Sequence, residues 1–187
     1  MKILDAMLGR SKRPRNNLDA LFSLPTAAIT LQTAADFTPT GAGAVCFRAA
    51  EGAAFAATKA DIVALLDNDD DPDLEQHTDQ FGFTWLVARQ EDMSALVTDL
   101  HAINTGLEAQ GFGPSLLCSL VGFRDPSGRS LALVYLYKQG TFYPFVPKAG
   151  QQRDNLLEMQ VRDLVKNDLP VEPELSRWMA LWDAPGL

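Results

Sequence analysis

LLCSLVGFRDPSGRSLALVYLYK, residues 116–138, holds two apolar runs, LLCSLVGFR and RSLALVYLYK, separated by the turn residues DPSG. Pro126 presets its own φ and Gly128 tolerates a left-handed backbone, so the stretch predicts a type I turn within an antiparallel hairpin. A hairpin excludes a purely parallel doubly wound sheet, whose strands need long crossovers.

Working outward, GAVCFR at 43–48 reads as a buried strand, and FGFTWLVAR at 81–89 places Phe81, Phe83, Trp85 and Val87 on one face by alternation. Helical signals lie between the strands. EDMSALVTDLHAINTGLEAQ opens with two acids that suit the helix dipole and closes at Gly111. Thr58 with Asp61 makes an approximate capping box for ADIVALLDN. Asn17 is placed to cap LDALFSL before Pro25 stops it, and Asp154 or Asn155 to cap a helix through Val165. A short amphipathic ELSRWMALW follows Pro173, while residues 26–40 fit either a strand with a loop or a short helix. The sum is a two-layer α+β fold. Its mixed or antiparallel sheet has four to five strands, taken from residues 43–48, 76–89, 116–124 and 130–138, with helices packed mainly on one face.

The chain has 187 residues, 47% hydrophobic and 21% charged, which is enough to bury a core. Its net charge of -8 is unevenly spread. Residues 1–15 carry Lys2, Arg10, Lys12, Arg13 and Arg15 against Asp5, giving +4, and the remainder carries -12. So acidic a body is a poor nucleic-acid binder. The division predicted is a basic amphipathic arm, 1–15, and one α+β domain, 16–187. In the arm, the spacing predicts a short helix with Met1, Ile3, Leu4, Met7 and Leu8 on one side, ended by Gly9, and an extended SKRPR. The arm suits docking on its own domain or a partner, or weak electrostatic contact with an anionic membrane. No run approaches the roughly 20 apolar residues of a spanning helix. Cys46 and Cys118 lie in apolar runs, as reduced cysteines do in cytosolic proteins, and one disulfide between two strands is the other reading.

LDNDDDPDLEQHT matches part of a calcium loop through Asp67, Asp69, Asp71 and Asp73. Pro72 stands where the loop needs glycine and Thr78 where it needs glutamate, so the reading is a solvated acidic loop. His77 and His101 exclude an all-histidine zinc centre. Neither stands at ligand spacing from a cysteine. No nucleophile elbow, C-x-x-C pair, phosphate loop or H-E-x-x-H occurs, and the glycines of GAGAVC precede a strand when a dinucleotide fingerprint would follow one. No cofactor or metal is expected, and a non-catalytic protein is favoured. The alternative is a motif-less, hydrolase-like enzyme using acids around 67–78, with its residues assembled only in three dimensions.

In VYLYKQGTFYPFVPKAG, Tyr135, Tyr137, Phe142, Tyr143 and Phe145 cluster around Gly140. They suit either a core beneath Trp178 and Trp182 or a partner-binding loop at 140–147, with contact through Phe142, Tyr143 and Phe145. Lys138, Arg153 and Asp154 would then form its polar rim.

NLDALFSLPTAAITLQ, GAVCFRAAEGAAF, TWLV, SALVTDLHAINTGLEAQGFG, LLCSLVGFRD, LALVYLYKQGTFYPFVP, RDNLLEMQVR and the ending APGL together resemble the PspA-associated protein PspAB family of actinobacteria. The likeness runs along nearly the whole chain in the same order. It implies a cytoplasmic accessory protein of phage-shock-type envelope stress, associated with PspA, the coiled-coil protein that coats damaged membrane. It further implies an HtpX-type membrane protease as an associate, and it carries no catalytic residues. Contact through Lys2, Arg10, Lys12, Arg13 and Arg15 would place the protein at the inner face of the plasma membrane.

Overall fold

The computed structural model describes residues 17–48, 52–66 and 74–187. The basic arm and the acidic stretch 67–73 lie outside the described residues. After a 3-10 turn at Leu18–Ser23, the elements run α1 (Leu24–Ala35), β1 (Thr38–Arg48), α2 (Ala53–Leu66), β2 (Glu75–Thr78), β3 (Phe83–Arg89) and α3 (Met93–Ala109). There follow β4 (Leu116–Arg124), β5 (Ser130–Leu136), β6 (Thr141–Phe145), a two-residue pair β7 (Pro147–Lys148) and β8 (Gln152–Arg153), and α4 (Asn155–Val165).

The main sheet has six strands in the order β2-β3-β1-β4-β5-β6, and every neighbouring pair is antiparallel. The fold is therefore α+β as read from sequence, with six sheet strands in place of four to five. Two features raise the count. The stretch 76–89 divides into a hairpin around Asp79–Gly82, where Gly82 takes φ +82°. The stretch expected as an aromatic loop is β6, paired along β5 from Ala132↔Phe145 to Leu136↔Thr141.

The hairpin over 116–138 forms as its turn residues require. Gly128 adopts φ +86° and its N–H donates to Asp125 O at 3.0 Å. The Asp125 carboxylate accepts from Ser127 Oγ (2.8 Å), Arg129 N (2.8 Å) and Arg129 Nε (2.7 Å). Burial works to raise its pKa, but these donors outweigh it and hold the group at about 2.

Several local expectations are corrected. Pro25 does not end a helix: it sits in the first turn of α1, where its missing N–H costs nothing, and Asn17 makes no side-chain cap. Residues 26–40 divide into the rest of α1 and the start of β1. Thr58 is no cap either, since α2 begins five residues earlier and its hydroxyl donates to Ala54 O. ELSRWMALW forms only a 3-10 turn at Leu175–Arg177. The long helix and its successor behave as expected. Asp92 accepts from Ala95 N to start α3, Gly111 follows its end with φ +87°, and Asp154 accepts from Leu157 N to cap α4.

Alternation along the strands divides the core. Val45, Phe47, Leu86, Val121, Phe123, Leu133 and Tyr135 face the helices, packing with Leu24 and Leu31 of α1, Leu96, Leu100 and Ile103 of α3, and Val161 of α4. Gly43 lets α3 cross close to β1, for a Cβ there would meet Leu100 at 3.0 Å and Leu96 at 3.3 Å. A buried polar contact sits in this layer. Asn104 Nδ2 donates to Ser119 Oγ (2.9 Å) and to Leu100 O (2.8 Å), while its Oδ1 has no partner among the described residues.

Ala44, Cys46, Trp85, Val87, Cys118, Leu120, Val134, Tyr143 and Phe145 point the other way, where the covering residues come from the C-terminal segment and include Trp178 and Ala184. This strap, residues 170–187, lies against the sheet so closely that a Cβ on Gly122 would stand 1.9 Å from Gly186 O. Gly122→Ala should therefore cost about 1–3 kcal/mol by chemical denaturation, the range for overpacking a close contact, and should speed tryptic cleavage after the exposed Arg177. Unchanged stability and cleavage would show that the strap does not press on the sheet at that point.

Candidate functional site

The strap is built on edge strand β6. Phe142 N donates to Pro170 O (2.8 Å) and Glu172 N to Phe142 O (2.7 Å), so Val171 bridges Phe142 in parallel. The edge is thereby covered. Glu172 is only 1% exposed, and its carboxylate accepts from Thr141 Oγ1 (2.6 Å), Glu174 N (3.0 Å) and Arg177 Nη1 (3.1 Å). Its backbone carbonyl accepts from Trp178 Nε1 at 3.1 Å. Burial works to raise the Glu172 pKa, but the Thr141, Glu174 and Arg177 donors outweigh it and leave the group below its ordinary value.

Aromatic contacts fix the rest of the strap. Tyr143 stacks on Trp178 with centroids 5.9 Å apart, Phe145 meets Trp182 edge-on at 5.2 Å, and Tyr143 Oη donates to Met179 O at 2.9 Å. Arg153 ties the strap to α4: its Nε donates to buried Glu158 (2.9 Å), its Nη1 to Trp178 O, and its guanidinium lies 5.1 Å from the Phe145 ring centre. Glu158 also accepts from Val146 N at 2.9 Å.

Phe142, Tyr143 and Phe145, singled out as contact residues, are thus 1% exposed or less. Their rings form the sheet core, one toward the helices and two toward the strap, where Trp178 and Trp182 cover them. Of the supposed rim, Lys138 is exposed, Arg153 is spent on internal contacts, and Asp154 caps α4 with Lys148 Nζ 4.0 Å away. Lys2, Arg10, Lys12, Arg13 and Arg15 fall outside the described residues, as do Asp67, Asp69, Asp71 and Asp73. His77 is exposed on β2, and His101 Nε2 lies 3.3 Å from Asp19 with the Phe22 ring 4.8 Å away.

Between sheet and strap lies a cavity of about 430 Å³, lined by Cys46, Cys118, Trp85, Tyr143, Trp182 and Asp79 among others. Phe81 and Met179, both more than half exposed, stand at its mouth. Cys46 and Cys118 are directly opposed across β1 and β4 and are free thiols. The hydrogen bond to Cys118, burial and the nearby Asp79 charge push the Cys46 thiol well up, so it stays protonated and a poor nucleophile at neutral pH. Asp79 accepts from Trp85 Nε1 (3.0 Å) and from Phe81 N and Phe83 N (2.9 Å each). Desolvation works against its charge, yet these donors and the nearby His77 lower its pKa overall, leaving it ionised at neutral pH. Sequence reasoning missed this constellation. Only the alternation of FGFTWLVAR and the apolar settings of the two cysteines pointed toward it.

Among the described residues, no group of three or more His, Cys, Asp or Glu is placed to hold a metal ion. Over residues 1–186 the chain matches the family model described as PspA associated protein B. The chain belongs to this family. Neither a curated protein nor a solved structure matches it. The PspAB description concerns association and names no reaction. Among the described residues of this PspAB chain, no helix is long and apolar enough to cross a membrane.

The lowered Glu172 pKa sets the sign of a pH effect on the strap. Its contribution is complete above the ordinary carboxylate value of 4.5 and is lost as pH falls through the lower folded value. Glu172→Gln should therefore be less stable than the parent chain at neutral pH, by about 1–3 kcal/mol, with the difference shrinking in acid. Urea titrations followed by tryptophan emission at both pH values check this, and a pH-independent difference would contradict it.

Proposed function

We propose that this PspAB chain is a non-catalytic accessory protein that binds PspA in the cytoplasm, as part of phage-shock-type envelope stress. The observation that carries the reading is the family match over residues 1–186, with its description of association. The charge distribution supports a division of labour: an arm, 1–15, of +4 on a body, 16–187, of -12. In this proposal Lys2, Arg10, Lys12, Arg13 and Arg15 make the outward contact, with PspA or with the anionic inner face of the plasma membrane. Each Lys or Arg near such a surface contributes about 1 kcal/mol. Phe142, Tyr143 and Phe145 serve that contact only indirectly, by holding the strap and sheet together. An HtpX-type protease is a more distant proposed associate, resting on resemblance alone.

The mechanism proposed is binding linkage. The protein stabilises whichever state of PspA it contacts more strongly, and proximity to membrane raises its local concentration. Changing Arg10, Lys12, Arg13 and Arg15 together to Ala should weaken capture of purified PspA and co-sedimentation with anionic vesicles, while moving the melting temperature by only a few degrees. Salt should release the parent chain from vesicles. Full retention of both interactions by the variant would remove the arm from the proposal. A collapse in stability would mean that the arm belongs to the core.

A further inference from the structure

The cavity between sheet and strap has features that the accessory reading does not use. Its volume, about 430 Å³, lies in the range of small-molecule sites, and its wall is mostly apolar and aromatic. Among the described residues, Asp79 is the only charged one on that wall. Two further polar groups there are already occupied: Trp85 Nε1 donates to Asp79 and Tyr143 Oη to Met179 O. An anion would meet the Asp79 carboxylate with no compensating cation among the described residues of the wall.

We propose that this cavity binds a small organic cation, an amine or quaternary ammonium on an apolar body, with the positive group beside Asp79 and the body among the aromatic rings. Three observations converge on that ligand class. Asp79 is positioned by three donors, from Phe81, Phe83 and Trp85, and a carboxylate offers roughly four acceptor sites, which leaves room for one more donor. Phe81, Trp85, Tyr143 and Trp182 supply aromatic faces or edges on the same wall, and such rings attract ammonium groups. The opening past exposed Phe81 and Met179 gives an entry route. Trp85 is the hinge of the arrangement, for it packs in the wall and fixes the carboxylate through its indole nitrogen. This inference is independent of any contact with PspA.

The test compares three probes of one length, 4-phenylbutylamine, 4-phenylbutanol and 4-phenylbutyrate, titrated calorimetrically into the full chain and followed by tryptophan emission. The amine should bind about tenfold more tightly than the alcohol, and the carboxylate more weakly than either. Asp79→Asn removes the charge and leaves one oxygen, for either the Phe81 and Phe83 N–H groups or Trp85 Nε1, so it should bring the amine down to the level of the alcohol. Should Asp79→Asn not fold, Ala180→Trp, which fills the cavity from the strap, should abolish amine binding. Equal affinity for amine and alcohol would overturn the cationic class. Absence of binding by all three probes, or amine binding unaffected by Ala180→Trp, would overturn the site.

Discussion

A sheet of six antiparallel strands has two apolar faces, and the helices of this chain pack on one. Everything else in the architecture answers that constraint. Cys46, Trp85, Leu120, Val134, Tyr143 and Phe145 alternate away from the helices and would be wetted without a second cover. The cover is an irregular segment with little secondary structure of its own. It cannot satisfy its backbone internally, so it borrows donors and acceptors from the edge strand and from buried side chains.

The charges that do this are two buried glutamates and the arginines that face them. Glu172 gathers the edge strand, the strap backbone and Arg177; Glu158 gathers the backbone after β6 and Arg153. Buried ion pairs are poor stabilisers compared with apolar packing, but they are unforgiving of displacement. Here they fix where an otherwise featureless segment lies. The cavity persists beside them because the strap is held at particular points and bridges the space between.

The hairpin and the long helix were legible in sequence because local rules decide them: DPSG fixes one, Asp92 and Gly111 the other. Pro25 misled because proline marks both the end of one helix and the first turn of the next, and only the chain before it tells which. The aromatic strand was hidden by Gly140, Pro144 and Pro147, which read as loop punctuation, although Pro144 sits within the paired stretch of β6. Its burial depends on a segment about 30 residues further on. The strap itself, and with it the cavity, was illegible for the same reason: Glu172 and Arg153 look like surface residues until their partners are in place. Asp79 gave no signal at all, since its meaning comes from three donors supplied by a turn and an indole.

One contact in the helix layer has a consequence for how the two layers find each other. Asn104 and Ser119 meet among buried apolar side chains, and Asn104 Oδ1 is already without a partner among the described residues. Leucine side chains slide past one another at small cost, so an apolar layer alone tolerates several alignments of helix on sheet. A shift of α3 by one turn would strand both polar groups among leucines, each losing a bond worth more there than in water. The pair works as a vernier mark between the layers. A chain with both positions made apolar would have a more forgiving core and a less certain alignment.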